Sequence, residues 1–130
     1  MKEIHIGVSE RGCCWGIIEN GKVLEEGEFE LEGKKLRRDR RARWDKEKGV
    51  VVRNENGDEV IYDGFFLIIR EDKTGEILTN VFGKAKIYPV DYYPFLVSLL
   101  SLTDEERNVL VSKLDDLVNN FIEKYIEKEE

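Results

Sequence analysis

Residues 34–49, "KKLRRDRRARWDKEKG", hold nine lysines and arginines against three acidic residues. The run carries +6 inside a chain of formal net charge −7, so the remaining 114 residues carry −13. Clustered guanidinium groups make one kind of chemistry available, the neutralisation of phosphate, because arginine donates two parallel hydrogen bonds to it. The candidate phosphate contacts are Lys34, Lys35, Arg37, Arg38, Arg40, Arg41 and Arg43, with Lys46 and Lys48 behind them. Trp44 adds a ring on which an unpaired base, or an arginine plane, can stack. If the run is helical, Lys34, Arg37, Arg38 and Arg41 share one face at i, i+3, i+4, i+7 spacing. Nucleic acid is the partner these residues suggest, RNA or single-stranded DNA before duplex. The same charges would also grip an acidic protein, or meet the acidic remainder of this chain or of a second copy. Domains that bind nucleic acid are commonly basic overall. In this acidic chain such a contact must be local and oriented.

Two other groups of residues are chemically competent types. Cys13 and Cys14 are adjacent, so in a strand they point to opposite faces, and His5 is the chain's single histidine. His5 and Cys14 fall diagonally on one hairpin face, but two ligands do not build a structural zinc site. No metal and no cofactor is expected, and Cys13 reads as a core residue. Arg53, Tyr62, Arg70 and Thr79, with His5, are types that small metal-independent ribonucleases use to move a proton and stabilise a phosphorane. No motif forces them together, so the chain is expected to bind rather than to turn over substrate. Such a ribonuclease is the third reading, after nucleic-acid binding and an inhibitor-like protein contact.

The stretch "HIGVSERGCCWGIIENGKVLEEG" resembles the opening strands of ribonuclease H-like nucleases. That family ends its first strand in a metal-binding aspartate, and Ser9 stands at the matching position here. A two-metal nuclease needs clustered carboxylates, so the departure removes the activity that the resemblance would imply.

The elements that would position these residues follow from periodicity. "EIHIGV" and "CCWGII" flank the turn "SERG", and the asparagine-glycine pair at 20–21 marks a two-residue hairpin into "KVLEEGEFEL". Period-2 alternation puts Ile4, Ile6 and Val8 on one face with Cys13, Trp15 and Ile17. Apolar parity switches between Leu24 and Phe29, which predicts a β-bulge near Glu26 and Gly27. "GVVVR" and "EVIYD" flank a second tight turn. "GFFLIIR" and "EILTNVF" make a third hairpin, in which Arg70 would pair with Ile77. There Phe65, Leu67, Ile69, Leu78 and Phe82 share one face, and Phe66, Ile68, Ile77 and Val81 the other. Apolar residues on both faces predict that this hairpin is covered on both sides. "AKIYPV" adds a short strand before Pro89. Asp91 and Pro94 open a helix over 91–102, and Thr103 with Glu106 has capping-box spacing ahead of a second. Leu110, Val111, Leu114, Leu117, Val118, Phe121, Ile122, Tyr125 and Ile126 form its apolar stripe. Part of that stripe also fits a seam on which a second subunit could pair.

The expected fold class is α+β within a single domain over 1–130. It has a largely antiparallel sheet of about six or seven strands (three hairpins), with two C-terminal helices packed on it. Strands occupy about 3–31 and 50–88, the basic connector 34–49, and the helices about 91–128. With 130 residues, 41% of them hydrophobic, the chain can bury a core without staples. Charged residues reach 38% and glutamine is absent, a composition like that of hyperthermophile proteins. No apolar run approaches the roughly 18 residues that span a bilayer. The N-terminus has no signal-peptide core. Adjacent cysteines cannot staple distant segments, and the expected setting is cytoplasmic, away from membranes.

Overall fold

The structure, a computed structural model, describes residues 1–34, 42–45, 49–53, 59–61, 64–72, 74–79, 83–87, 93, 96–97 and 100–126. Within 42–61, at 79 and within 83–87 it describes the backbone. Among the described residues nine strands lie in two sheets: β1 (Lys2–Ser9), β2 (Gly12–Glu19), β3 (Lys22–Glu30), β4 (Ala42–Asp45), β5 (Gly49–Arg53), β6 (Glu59–Ile61), β7 (Gly64–Arg70), β8 (Gly75–Thr79) and β9 (Gly83–Ile87). A helix, α1 (Asp104–Tyr125), follows them. The main sheet is antiparallel in the order β3-β2-β1-β7-β8-β9, and the smaller one runs β4-β5-β6. The α+β class holds. The division into two sheets differs from the expected single sheet of six or seven strands: β7 pairs with β1 and not with β6, and Ala42–Asp45, inside the expected connector, is a strand paired with β5. The helix expected over 91–102 lies largely outside the described residues.

The first two hairpins follow their turn chemistry. Asn20 and Gly21 both take positive φ, at 52° and 81°, which two-residue hairpin turns of this hand require. In β1 and β2, Ile4 pairs with Ile17, Ile6 with Trp15 and Val8 with Cys13, so the expected face is the observed one. The bulge in β3 sits earlier than parity suggests. Ile17 faces Glu25 while Ile18 faces Val23, so Leu24 is the extra residue. Beyond it Phe29 reaches the core side opposite Cys13, and Gly27 lies opposite Trp15. A Cβ at Gly27 would come within 2.7 Å of the Trp15 ring. The indole can lie across β3 only because nothing projects there.

The third hairpin takes a different register from the expected one. Leu67 pairs with Ile77 and Phe66 with Leu78, while the Arg70 N–H donates to the Thr74 carbonyl at 2.9 Å. The turn explains the shift. Asp72 Oδ1 accepts from the Thr74 N–H at 3.0 Å and from its hydroxyl at 2.6 Å, a side-chain turn that frees Gly75 to join the strand. An odd shift exchanges faces. Ile77 therefore joins Phe65, Leu67 and Ile69, and Leu78 joins Phe66. Val81 and Phe82 lie outside the described residues.

One face of the main sheet is covered by α1. Ile4, Ile6, Val8, Cys13, Phe65, Leu67, Ile69 and Ile77 pack with Leu110, Leu114, Leu117, Val118 and Phe121 in one buried cluster. Each such side chain taken out of water contributes about 1.5–3 kcal/mol. Phe66 and Leu78 are buried on the opposite face, and β5 of the small sheet comes against β7 and β8. Burial on both faces, as the alternation of "GFFLIIR" implies, is thus observed. Thr103 and Glu106 form the capping box reciprocally, each side chain accepting from the other's backbone N–H at 3.1 Å. The apolar stripe of α1 is directed at the chain's own sheet, and Val111, Ile122, Tyr125 and Ile126 border the core partly buried.

Candidate functional site

The basic segment leaves the main sheet beside the N-terminus of α1. Leu31 N–H donates to the Arg11 carbonyl at 2.8 Å, and Lys34 N–H to the Leu31 carbonyl at 3.0 Å. This turn presents the Lys34 ammonium to two acceptors, Glu106 Oε2 at 2.8 Å and the Glu10 carbonyl at 3.3 Å. The Lys34 ammonium, then the capping bond from Thr103, holds the Glu106 carboxyl below its usual range. Lys34 thus joins the root of the basic run to the helix cap. Lys35, Arg37, Arg38, Arg40 and Arg41, and with them the helical-face arrangement, lie outside the described residues. Lys46 and Lys48 do as well. Arg43 and Trp44 are consecutive in β4, opposite Val51 and Val50. Consecutive strand residues belong to opposite faces, so Arg43 and Trp44 could reach one ligand together only along the strand edge. β4 is an outer strand of the small sheet, and that edge has no partner among the described strands.

The second face of the main sheet carries a polar row that the sequence reading saw only in part. Arg70 Nε donates to Glu3 Oε2 at 2.9 Å, and Arg70 Nη2 to Glu76 Oε2 at 2.7 Å. Glu3 Oε1 lies 2.9 Å from His5 Nε2, whose ring stands edge-on to Phe66 with centroids 5.6 Å apart. The row crosses β1, β7 and β8, since Glu3 pairs with Arg70 and Glu76 is a diagonal neighbour. Burial pushes the Glu3 carboxyl up, but the hydrogen bonds and charges of His5 and Arg70 outweigh it and hold it below the ordinary value. The hydrogen bond from Arg70 to Glu76 leads the effects that raise the guanidinium further.

The row decides what Arg70 can do. Of the five residues suggested for phosphodiester chemistry, His5 and Arg70 come together through Glu3. Arg53 ends β5 opposite Glu59 and Thr79 ends β8 opposite Gly83, while Tyr62 lies outside the described residues. Glu3 and Glu76 are the members that sequence reasoning missed. Strand parity puts Glu3 with His5, and the corrected hairpin register puts Glu76 with Arg70. Two carboxylates already take Nε–H and an Nη2–H of Arg70, so its charge is offset within the sheet and fewer donors remain for a phosphorane.

The cysteines divide by face. Cys13 is buried in the core, and burial pushes its thiol up to about 12. Cys14 is half-buried on the second face opposite Gly7, and neither cysteine forms a disulfide. Ser9, at the end of β1, directs its hydroxyl into the turn, accepting from the Arg11 N–H at 3.1 Å. Among the described residues no three His, Cys, Asp or Glu side chains gather as metal ligands. No helix in them is long and apolar enough to cross a membrane. Comparison of the chain with protein-family models, with curated proteins and with solved structures gives no match in any of the three.

Proposed function

We propose that this chain is a small binding protein that contacts RNA or single-stranded DNA through the basic segment 34–48. One observation carries the reading: the segregation of +6 into sixteen residues of a chain of net charge −7. Opposite charges spread evenly would satisfy one another locally, whereas a concentrated run sets up a potential that an extended polyanion can follow. The neutralised Arg70 favours binding over phosphodiester cleavage. β4 supports the same reading, because an outer strand bearing Arg43 and Trp44 combines a backbone edge, a cation and a ring. A cytoplasmic setting, where both thiols stay reduced, belongs to the proposal.

A specific contact favours a second reading, in which the segment grips an acidic protein. Lys34 already uses its charge on a carboxylate of the protein, Glu106. Fluorescence titration of a labelled single strand over a range of salt separates the two. Affinity should fall with salt at a log–log slope of roughly −0.7 per phosphate contact, about −3 for four contacts. Changing Arg37, Arg38, Arg40 and Arg41 to Gln should flatten the slope and weaken binding on every sequence alike. If no strand binds at low salt and these changes unfold the chain, the charges serve protein carboxylates and the nucleic-acid reading fails.

A further inference from the structure

The two outer strands of the main sheet carry opposite charge in matching register. Across the sheet, Glu28 pairs with Cys14, Cys14 with Gly7, Gly7 with Phe66, Phe66 with Leu78, and Leu78 with Lys84. The next row begins at Glu26, passes through Gly16, His5, Ile68 and Glu76, and ends at Lys86. Each row opens on a glutamate of β3 and closes on a lysine of β9, all at positions of one sheet face. Glu26 and Glu28 are exposed, and among the described residues no further strand pairs with β3 or β9.

We propose that the sheet continues from copy to copy, β9 of one chain pairing antiparallel with β3 of the next, so that Lys84 meets Glu28 and Lys86 meets Glu26. Three features of the register fit this partner, a second copy of the same chain. Strand direction alternates through the six strands, so β9 and the incoming β3 run antiparallel without inverting the second copy, which is rotated only by the sheet's own twist. An even number of strands also leaves both ends of a row in the same hydrogen-bonding phase. Backbone groups of Glu28 and Lys84 therefore face outward together or inward together, as an antiparallel ladder requires. Pairing like edges is disfavoured, since two β3 strands would oppose glutamates and two β9 strands lysines. Charges on an edge strand ordinarily prevent association. Opposite charges on the two edges block only the self-matched pairings and admit the head-to-tail one, which is a heterologous contact.

Sedimentation velocity of the full-length chain, free of nucleic acid, tests the contact. At low salt the mean mass should rise with concentration, and added salt should return it to the monomer. E26K/E28K and K84E/K86E should each stay monomeric at concentrations where the parent assembles. An equimolar mixture of the two should assemble again, because each supplies the edge that the other lacks. Far-UV circular dichroism and melting confirm that the reversed chains fold. If they do not, the milder Glu26→Gln/Glu28→Gln pair should still raise the concentration for half-assembly severalfold. A parent that is monomeric at every concentration overturns the proposal, as does assembly indifferent to these reversals. Assembly abolished by the Arg37, Arg38, Arg40 and Arg41 substitutions but kept by K84E/K86E also overturns it, since the neighbour's basic segment would then be the occupant.

Discussion

Arg70 shows how one side chain can separate a binding reading from a catalytic one. Its two carboxylate partners differ in exposure, Glu3 at 29% and Glu76 at 9% for the side chain. Arg70→Met should remove the cation that lies between the two acids. The expected loss is about 2 kcal/mol in urea denaturation, between the ~0–1 of an exposed pair and the ~3–5 of a broken buried one. A loss below about 0.5 kcal/mol would mean that Arg70 is not what keeps Glu76 ionised in the sheet. The lowered Glu3 carboxyl makes a pH prediction as well. A depressed folded value means that the contribution is present above the unfolded value near 4.5. It is lost as pH falls through the folded value. The urea midpoint should drop on acidification below that point, and Glu3→Gln should remove part of the drop. At the two thiols, a disulfide reagent under native conditions should titrate Cys14 quickly and Cys13 only on unfolding, because the thiolate is the reacting form. Rapid modification of both would place Cys13 outside the core. The residues of this row were half legible. His5 and Glu3 share a face by parity alone. Glu76 was hidden because the Asp72 side-chain turn, which sets the register, leaves no mark in the hydrophobic pattern.

At the scale of elements, the least conspicuous residue of β3 is Gly27. Gly27→Ala places a methyl group against the Trp15 ring, and the indole must move or the strand must bend. Overpacking of this kind costs about 1–3 kcal/mol, and the Trp15 emission should shift as the ring is displaced. An unchanged spectrum and an unchanged midpoint would show that Trp15 does not lie over β3. For α1, Phe121→Ala should cost about 3–5 kcal/mol, since its ring is 1% exposed in the shared core. The start and the buried face of the helix were readable because it opens on a capping box and its apolar positions recur with one period. The bulge was readable only as a necessity. Parity demanded one extra residue and pointed to Glu26 and Gly27, whereas the extra residue is Leu24. The cap also has a partner from far along the chain. Thr103→Ala should cost about 1 kcal/mol, and Lys34→Met should couple to it, because both act through Glu106. Additive losses in the double mutant would show that the segment root and the helix cap are independent.

At the scale of the whole molecule, the α+β order was visible because strands precede the long helix, and each hairpin carries its own turn residues. The second sheet was not visible. "ARWD" lies in the run read as a basic connector, and its pairing with β5 depends on a tertiary neighbour rather than on local pattern. That division has an optical consequence. The chain has two tryptophans; Trp15 is in β2 of the main sheet and Trp44 in β4 of the small one. Each sheet is therefore labelled by its own intrinsic fluorophore. Trp44→Phe leaves an emitter that reports on the main sheet alone, and Trp15→Phe one that reports on the small sheet. Coincident urea transitions in the two variants, after correction for their stability difference, would mean that both sheets melt as one cooperative unit. If the Trp44 signal is lost first, the small sheet is a separate foldon that opens while the core still stands.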